Sequence, residues 1–336
     1  MRAIICEEPG RLAAIERDRP ERPAGWVSVD IRHVGVCGTD FHIFAGKHPY
    51  LAYPRVMGHE LSGTVAEPSE DGRFAAGDAV IVNPYLACGS CIACRKGKPN
   101  CCVAIKVLGV HTDGGMCERI VVPAQNLYPA EGLSLRDAAM VEFLAIGAHA
   151  VRRSEAKPGD RALVVGAGPI GLGTALFARL AGAEVTMMDT SEERLDKAAG
   201  TFGFADPIRA GADAIEAARR ATGGDFYDLV FDATGNARAM EGGIGFVAHG
   251  GSLVFVSIVK DRIGFDDPEL HKREMKIVGS RNALKADFET VVAAMKAGAV
   301  PVDAINTHRA ALDDLPEAMP AWLADGRGLI KAVLTV

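Results

Sequence analysis

The chain has 336 residues, more than one hydrophobic core usually organises, so we expect two domains with a cleft between them. A content of 49% hydrophobic, 24% charged and 6% aromatic residues is typical of a folded globular protein. The net charge of −6 and the scattered lysines and arginines argue against a nucleic-acid partner. No apolar run has the length of a membrane span, and residues 1–8 lack a signal peptide's apolar region. We therefore expect no membrane contact and a cytoplasmic location.

The first 130 residues predict short strands joined by loops. Apolar or alternating runs indicate strands at residues 27–36, 58–65 and 79–82, and glycine and proline punctuate all of them. Long helical periodicity is missing from this part of the sequence. The pattern is typical of an irregular β-barrel or β-sandwich.

The middle of the chain has a different hydrophobic pattern. After residues 157–160 come a buried strand, a glycine turn, an amphipathic helix and a second apolar strand, which together predict one βαβ unit. Further strands are predicted at 227–232, 252–256 and 276–279, with helical stretches between several of them, so we expect a parallel sheet. A helix near 287–298 and a strand near 329–336 follow. Periodicity alone does not say whether this last part returns to the first domain.

The strongest local motif is a cysteine cluster. Five of the eight cysteines lie between Cys88 and Cys102, and the sequence C-G-S-C-I-A-C supplies Cys88, Cys91 and Cys94. Four thiolates close a tetrahedral zinc shell and leave no open position, so the predicted site is structural. Cys101 and Cys102 are rivals for the fourth place, and spacing does not choose between them. Ordinary buried or free thiols are the alternative interpretation.

A second set of residues is dispersed along the sequence. Cys37 lies in G-V-C-G-T-D-F-H, His59 and Glu60 lie in G-H-E-L-S-G, and Glu142 lies in V-E-F-L-A-I-G. A catalytic zinc needs about three protein ligands and one exchangeable position, and a cysteine, histidine and carboxylate set satisfies this requirement. Taken singly, each residue has an alternative role in the core, in a satisfied pair or in a helix cap.

A glycine motif follows the first strand of the βαβ unit. Gly166, Gly168 and Gly171 form G-A-G-P-I-G, and Asp189 ends the next strand. The glycines permit a tight turn and close approach of a pyrophosphate, which the N-terminus of the helix attracts. Asp189 would accept bonds from the adenosine ribose and repel a 2′-phosphate, so NAD is predicted rather than NADP.

These motifs in this order resemble the zinc-containing medium-chain dehydrogenase/reductase (zinc alcohol dehydrogenase) family, in its sorbitol and threonine dehydrogenase branch. The resemblance covers essentially the whole chain. It implies an α/β plus β fold: a GroES-like β-barrel catalytic domain at about 1–150, completed by 285–336, and a doubly wound Rossmann NAD-binding domain at 151–284. It chooses Cys102 over Cys101. It also makes Cys37, His59 and Glu142 ligands of the catalytic zinc, with Glu60 an outer or exchanging carboxylate.

Within that family the chain resembles bacterial sugar-acid dehydrogenases that oxidise C5 of L-galactonate or L-gulonate. The stretches Y-P-R-V-M-G-H-E, V-L-G-V-H-T-D-G-G and G-S-R-N-A carry this narrower likeness. It implies two zinc ions per chain, NAD, a sugar-acid or polyol substrate and a homo-oligomer, dimer or tetramer. Arg281 would hold the substrate carboxylate, with a surface salt bridge as the alternative, and Asn282 would lie beside it. Pro169, Ile170 and Arg194 would join the cofactor site.

A proton released from the substrate hydroxyl needs a route to water. Thr39 and His42 are three residues apart and face the same side if a helical turn follows Cys37, so we predict a Thr39-to-His42 relay. A capping threonine and a surface histidine are the alternative. Two rival functions remain open: another alcohol, sorbitol or threonine dehydrogenase of the same family, and a non-enzymatic NAD-sensing protein. A complete open zinc set argues against the sensor.

Overall fold

A computed structural model of the chain describes residues 1–48, 51–130, 132–326 and 328–336. It divides into two compact units. The first comprises Met1–Glu142 and Val292–Val336, and the second comprises Phe143–Val291. The observed divisions fall inside two helices, whereas the resemblance to the family implies boundaries near 150 and 285. The predicted domain limits therefore stay a prediction.

The first unit begins with short strands and helices. They are β1 (Arg2–Glu8), β2 (Arg11–Glu16), β3 (Trp26–Val36), α1 (Gly38–Phe44), β4 (Arg55–Val56), β5 (Glu60–Val65), β6 (Ala79–Val82), β7 (Tyr85–Leu86), α2 (Ile92–Arg95), β8 (Lys106–Val107), β9 (Arg119–Pro123), β10 (Leu127–Pro129) and α3 (Leu135–Ala138). Strands β3, β5 and β6 confirm the three strands predicted from the sequence.

The second unit alternates strands and helices. They are α4 (Val141–Ser154), β11 (Arg161–Val165), α5 (Pro169–Leu180), β12 (Glu184–Asp189), α6 (Glu192–Gly200), β13 (Ile208–Arg209), α7 (Ala214–Ala221), β14 (Tyr227–Asp232), α8 (Ala237–Gly242), β15 (Val247–Phe255), α9 (Asp267–Lys272), β16 (Lys276–Gly279) and α10 (Lys285–Lys296). The first unit is completed by α11 (Val302–Ile305), β17 (Asn306–Ala311), α12 (Leu315–Asp325) and β18 (Lys331–Thr335).

Strand β3 is the centre of the main sheet of the first unit. The strand order is β10-β6-β5-β3-β18-β17, and β9 also pairs with β3. Gly35 stands opposite Glu60 on β5, and Val36 stands opposite Ala332 on β18. This register brings the start of β5 and the C-terminal strand to the end of β3, where Cys37 follows.

The core of this unit forms because β3 buries most of its apolar residues. Val27, Val29, Ile31 and Val34 are at most 1% exposed, and they join a cluster that includes residues from β1, β5, β6 and β18. Burying each such side chain contributes roughly 1.5–3 kcal/mol, which fixes the register of the strand. The end of β3 is therefore held in place by packing, and so are the residues that follow it.

The second unit contains a parallel sheet with the order β13-β12-β11-β14-β15-β16. The chain runs outward from β11 to β13 and then returns to the other side at β14, so the sheet is doubly wound with a switch point between β11 and β14. Strands β14, β15 and β16 confirm the strands predicted near 227–232, 252–256 and 276–279. Within the described residues, none of the helices combines the length and apolar character that crossing a membrane requires.

Candidate metal centres and cofactor site

The cysteine cluster of the sequence is also a cluster in space. The sulfur atoms of Cys88, Cys91, Cys94 and Cys102 lie within 4.8 Å of one another. Helix α2 begins directly after Cys91, and its single turn brings Cys94 Sγ to 3.5 Å from Cys91 Sγ. Cys102 is buried and belongs to the group, whereas Cys101 is exposed and lies outside it.

Backbone donors surround these sulfurs. Cys88 N donates to Cys102 Sγ at 3.3 Å. The N–H groups of Ser90 and Cys91 lower the pKa of Cys88 to about 6, whereas burial and the Cys91 sulfur raise the pKa of Cys94 to about 12. The loop thus favours the thiolate form of Cys88 but not that of Cys94, and four thiolates ionise together only when a cation balances their charge. The cluster fits a closed tetrahedral zinc site.

A second, mixed group lies where β3 ends and β5 begins. The ligand atoms of Cys37, His59 and Glu60 lie within 4.8 Å of one another. Cys37 directly follows β3, and Glu60 is the first residue of β5. A Cβ at Gly35 would lie only 2.1 Å from Glu60 Oε2 and 3.2 Å from the Ala139 carbonyl oxygen. Glycine at this position therefore leaves the space that the buried Glu60 carboxylate occupies.

Glu60 is paired with a lysine that the sequence analysis did not identify. Lys331 Nζ donates to Glu60 Oε1 at 2.7 Å and Oε2 at 2.8 Å, and to the Val36 carbonyl oxygen at 3.3 Å. The two side chains are 1% and 0% exposed. Burial alone would lower the pKa of Lys331, but Glu60, Cys37 and Glu142 together outweigh it and raise that pKa. Lys331 therefore stays charged and neutralises Glu60.

Glu142 lies outside the 4.8 Å group. It is a buried residue in the first turn of α4, and the Tyr85 hydroxyl donates a short hydrogen bond to its Oε1. Burial raises the pKa of Glu142 to about 7 against the opposing effect of the nearby His59. A group so poised in a buried cluster favours a function at this place. Sequence reasoning missed Tyr85, because no motif or periodicity distinguishes it.

The surroundings of His59 are strongly negative. Burial alone would lower the pKa of His59, but Cys37 and Asp40 raise it well above its ordinary value. Asp40 is itself buried and accepts from Cys37 N at 2.8 Å and Gly58 N at 3.2 Å, which ties the two loops together. His59 Nδ1 is buried without a hydrogen bond and lies 3.9 Å from Asp40 Oδ1.

These observations test whether a zinc ion suits the site. The group offers a sulfur, an imidazole nitrogen and carboxylate oxygens, which are the ligands that zinc prefers. The excess of buried acidic groups and the imidazole nitrogen without a hydrogen bond both call for a cation. The residues therefore fit a metal centre of open, catalytic type.

The two residues of the predicted proton relay lie on one short helix. Thr39 and His42 both belong to α1, which directly follows Cys37, so the helical turn that the relay requires is present. Thr39 Oγ1 lies 3.8 Å from Cys37 Sγ. Thr39 is half-buried and His42 is exposed. The pair thus leads from the mixed group toward solvent.

The glycine motif forms a tight turn between β11 and α5. Gly166 has a φ of +101°, and a Cβ at Gly171 would lie 1.7 Å from the Gly166 carbonyl oxygen. Gly168 caps the helix at its N-terminus, and Pro169 is its first residue, followed by Ile170. This geometry leaves the N-terminus of α5 open to a phosphate, as the motif predicts.

Asp189 ends β12 beside this turn. Its Oδ2 accepts from Ala167 N at 2.7 Å, and its Oδ1 accepts from Ser191 N at 2.9 Å. The side chain is 7% exposed, and the exposed Arg194 guanidinium lies 3.8 Å from Oδ2. The carboxylate is held rigidly at the carboxyl end of the sheet, where the Rossmann arrangement requires it.

The two predicted substrate residues lie between β16 and α10. Arg281 is exposed, and Asn282 is half-buried with a φ of +54°. They belong to the second unit, whereas the mixed group belongs to the first. Their role toward a substrate stays a prediction.

Two family models match the chain over separate segments. Residues 23–132 match the alcohol dehydrogenase GroES-like domain, and residues 169–297 match the zinc-binding dehydrogenase domain. L-galactonate-5-dehydrogenase of Escherichia coli K12 is 41% identical over 339 residues, which cover 100% of this chain and 99% of that protein. The chain belongs to the zinc-type alcohol dehydrogenase family. It is an oxidoreductase that acts on CH–OH donors and uses zinc and NAD, as the sequence predicted.

Other members of the zinc-type alcohol dehydrogenase family are also similar along the chain. D-altritol 5-dehydrogenase of Agrobacterium fabrum is 34% identical and covers 94% of each chain. The crystal structure of an E. coli CFT073 alcohol dehydrogenase complexed with NADH has a TM-score of 0.93 at 29% identity, covering 100% of this chain and 99% of that one. The predicted combination of a GroES-like domain with a Rossmann sheet is thereby confirmed.

Proposed function

We propose that this enzyme oxidises the C5 hydroxyl of a six-carbon sugar acid, of the L-galactonate or L-gulonate class, and transfers the hydride to NAD. The observation that carries the reaction type is the buried group of cysteine, histidine and carboxylate side chains at the end of β3. The 41% identity to an L-galactonate-5-dehydrogenase along the whole chain supports the substrate class.

We assign the metal ligands as follows. Cys37, His59 and Glu142 hold the catalytic zinc, and Glu60 is the outer or exchanging carboxylate. A second zinc, of structural type, has four sulfur ligands: Cys88, Cys91, Cys94 and Cys102. The difference in donor sets supports this division, since four thiolates close a shell and a mixed set of three leaves a position for substrate.

When bound, zinc supplies the Lewis acidity that lowers the pKa of the substrate hydroxyl, and NAD supplies the hydride acceptor. The chain's own residues then move the proton. Thr39 Oγ1 accepts the proton of the substrate hydroxyl and passes its own to His42, which is exposed and releases it to water. Glu60 keeps its charge balanced by Lys331 throughout.

The cofactor site consists of the turn between β11 and α5 together with the end of β12. Gly166, Gly168 and Gly171 let the pyrophosphate approach the backbone, and Pro169 and Ile170 begin the helix that faces it. Asp189 accepts from the adenosine ribose, with Arg194 beside it. Asp189→Ser should raise kcat/KM for NADP relative to NAD, because the carboxylate that repels the 2′-phosphate is gone. An unchanged ratio would remove Asp189 from this role.

We also propose domains at 1–150 with 285–336 and at 151–284. The enzyme is a homo-oligomer, dimer or tetramer, and light scattering would measure its size.

The substrate carboxylate needs a cationic partner, and we propose Arg281 with Asn282 beside it. Guanidinium binds a carboxylate through two parallel hydrogen bonds, so it selects acids over neutral alditols.

Arg281→Ala assayed on L-galactonate, L-gulonate and the matching alditols tests this function. Losing a charge-assisted pair costs roughly 2–4 kcal/mol of transition-state binding, which lowers kcat/KM for the acids by about 30- to 1,000-fold. Neutral alditols should hardly respond. An equal loss on both substrate classes, or weaker NAD binding alone, would make Arg281 a structural or cofactor residue. The relation to D-altritol 5-dehydrogenase favours an alditol as the second candidate substrate, and the same screen decides between them.

A further inference from the structure

Two buried carboxylates lie close to His59, and their hydrogen-bond partners differ in charge. Glu60 belongs to the 4.8 Å group with Cys37 and His59. Both of its oxygens accept hydrogen bonds from Lys331, at 2.7 and 2.8 Å. Its charge is balanced and its lone pairs are engaged, so it is a poor permanent ligand.

Glu142 is held in another way. Its described hydrogen-bond partner is the hydroxyl of Tyr85, which donates to Oε1 only. A tyrosine hydroxyl is neutral, so this bond orients the carboxylate without cancelling its charge. Oε2 is left for a second interaction.

Tyr85 is itself held firmly. Its side chain is 7% exposed, and its backbone N donates to Asn83 Oδ1 at 3.0 Å. Its carbonyl oxygen accepts from Asn126 Nδ2 at 3.1 Å. The two asparagines fix the short strand β7 on both sides of the tyrosine. The hydroxyl therefore points at Glu142 from a rigid support.

We propose that Tyr85 is a positioning residue that makes Glu142 the carboxylate ligand of the catalytic zinc. The hydroxyl fixes Glu142 Oε1 and leaves Oε2 for the zinc ion. Lys331 binds both oxygens of Glu60 and so disfavours Glu60 as the ligand. This inference rests on the proposed ligand role of Glu142. Partners that orient a metal ligand typically contribute about 10- to 100-fold in metal affinity or activity.

The test is Tyr85→Phe, which removes the hydroxyl and keeps the ring. Zinc affinity at the catalytic site, measured by competition with a chromophoric chelator, should fall roughly 10- to 100-fold while the four-sulfur site keeps its ion. In Co²⁺-substituted protein the absorption bands of the cysteine-bound metal should shift. Wild-type affinity and an unchanged Co²⁺ spectrum in Tyr85→Phe would overturn the proposal.

Tyr227→Phe is the matched control, because Tyr227 is also a fully buried tyrosine but belongs to the second unit. It should keep wild-type zinc affinity; a loss equal to that of Tyr85→Phe would overturn the proposal. Glu142→Gln tests the ligand role of Glu142 separately from the positioning role of Tyr85. If this variant binds zinc like wild type, the ligand assignment itself is wrong. If it weakens zinc binding, the double variant with Tyr85→Phe should be no weaker, since Tyr85 acts through Glu142; additive losses would count against that action.

Discussion

Among the residues that the structure describes, each unit contains a buried cluster of a histidine and a carboxylate, and the carboxylate pKa is shifted in opposite directions in the two clusters. In the first unit, His59 lies near Glu60 and Glu142, and burial raises the pKa of Glu142 to about 7. In the second unit, His149 Nδ1 lies 2.8 Å from Asp287 Oδ2. Burial alone would raise the pKa of Asp287, but hydrogen bonds from His149 and Arg152 outweigh it and lower that pKa to about 2.

The difference lies in whether the cluster supplies its own cation. Asp287 accepts from Arg152 Nε at 2.7 Å and from Leu284 N at 2.7 Å, in addition to its contact with His149. The negative charge of Asp287 is balanced by these protein groups. Because Arg152 and His149 lie on α4 and Asp287 lies on α10, the cluster joins the two helices. In the first cluster, by contrast, Lys331 pairs with Glu60, whereas the described hydrogen-bond partner of Glu142 is the neutral hydroxyl of Tyr85. A buried acidic cluster with a raised pKa thus indicates a site for a cation, whereas one with a lowered pKa indicates a structural lock.

Removing each histidine in turn should have very different effects on the two clusters. His59→Ala should lose the catalytic zinc and lower kcat/KM by more than ~100-fold, since even partners one step removed from a metal contribute about 10- to 100-fold. The four-sulfur site should keep its ion. Elemental analysis together with turnover measures both effects.

His149→Ala is the paired control in the second unit. It should keep both zinc ions and lower the free energy of unfolding, because Asp287 loses a buried partner. Zinc loss in His149→Ala, or full activity in His59→Ala, would show that the two clusters do not divide as their pKa values indicate.

Much of this organisation could be predicted from the sequence where it is local. The cysteine cluster lies within fifteen residues of chain, from Cys88 to Cys102, so spacing predicted it except for the choice of Cys102 over Cys101, which the family resemblance made. The glycine turn and Asp189 belong to one βαβ unit. The mixed group was different. Strand pairing brings Cys37, His59 and Glu60 together, and Glu142 lies near them on α4, so only the family resemblance connected Cys37, His59 and Glu142 as ligands.

The partners of that group could not be predicted in the same way. Lys331 reaches Glu60 only because β18 returns to pair with β3 on the side away from β5, which is a tertiary contact. One sign was available: a lysine in an otherwise apolar strand needs a buried partner. Tyr85 had no such sign, because a tyrosine before a turn is ordinary and its hydrogen bond to α4 depends on the fold.

Cys94→Ser compares the four-sulfur cluster with the mixed group. A closed structural zinc contributes folding free energy directly, so removing one ligand should lower the stability of the first unit by about 4 kcal/mol or more. Thermal unfolding of the zinc-loaded protein measures this loss. At a temperature where the variant is folded, the zinc-dependent chemistry should remain. A variant that is as stable as wild type but inactive would reverse the roles of the two groups.

Asp287→Asn tests whether the cluster in the second unit stabilises the fold. It removes the negative charge that Arg152 and His149 share and should lower the free energy of unfolding by about 3 kcal/mol, since the buried His149 and the half-exposed Arg152 are left poorly paired. Zinc content should stay at the wild-type value. Denaturant unfolding followed at several wavelengths checks the loss. A stability within error of wild type would mean that the cluster is not a lock.

The smallest effect is the pH dependence of that lock. Asp287 has a folded-state pKa of about 2, below the ordinary value of 3.8, so it binds protons more weakly in the folded protein than in the unfolded chain. The stability that it adds is present above pH ~4 and is lost as the pH falls toward ~2. The shift corresponds to about 2 kcal/mol, because each pKa unit is about 1.4 kcal/mol. Acid also releases zinc, so the useful quantity is the difference in stability between wild type and Asp287→Asn. That difference should shrink by about 2 kcal/mol between pH 5 and pH 2. A difference that stays constant would show that the negative charge of Asp287 does not provide the stabilisation.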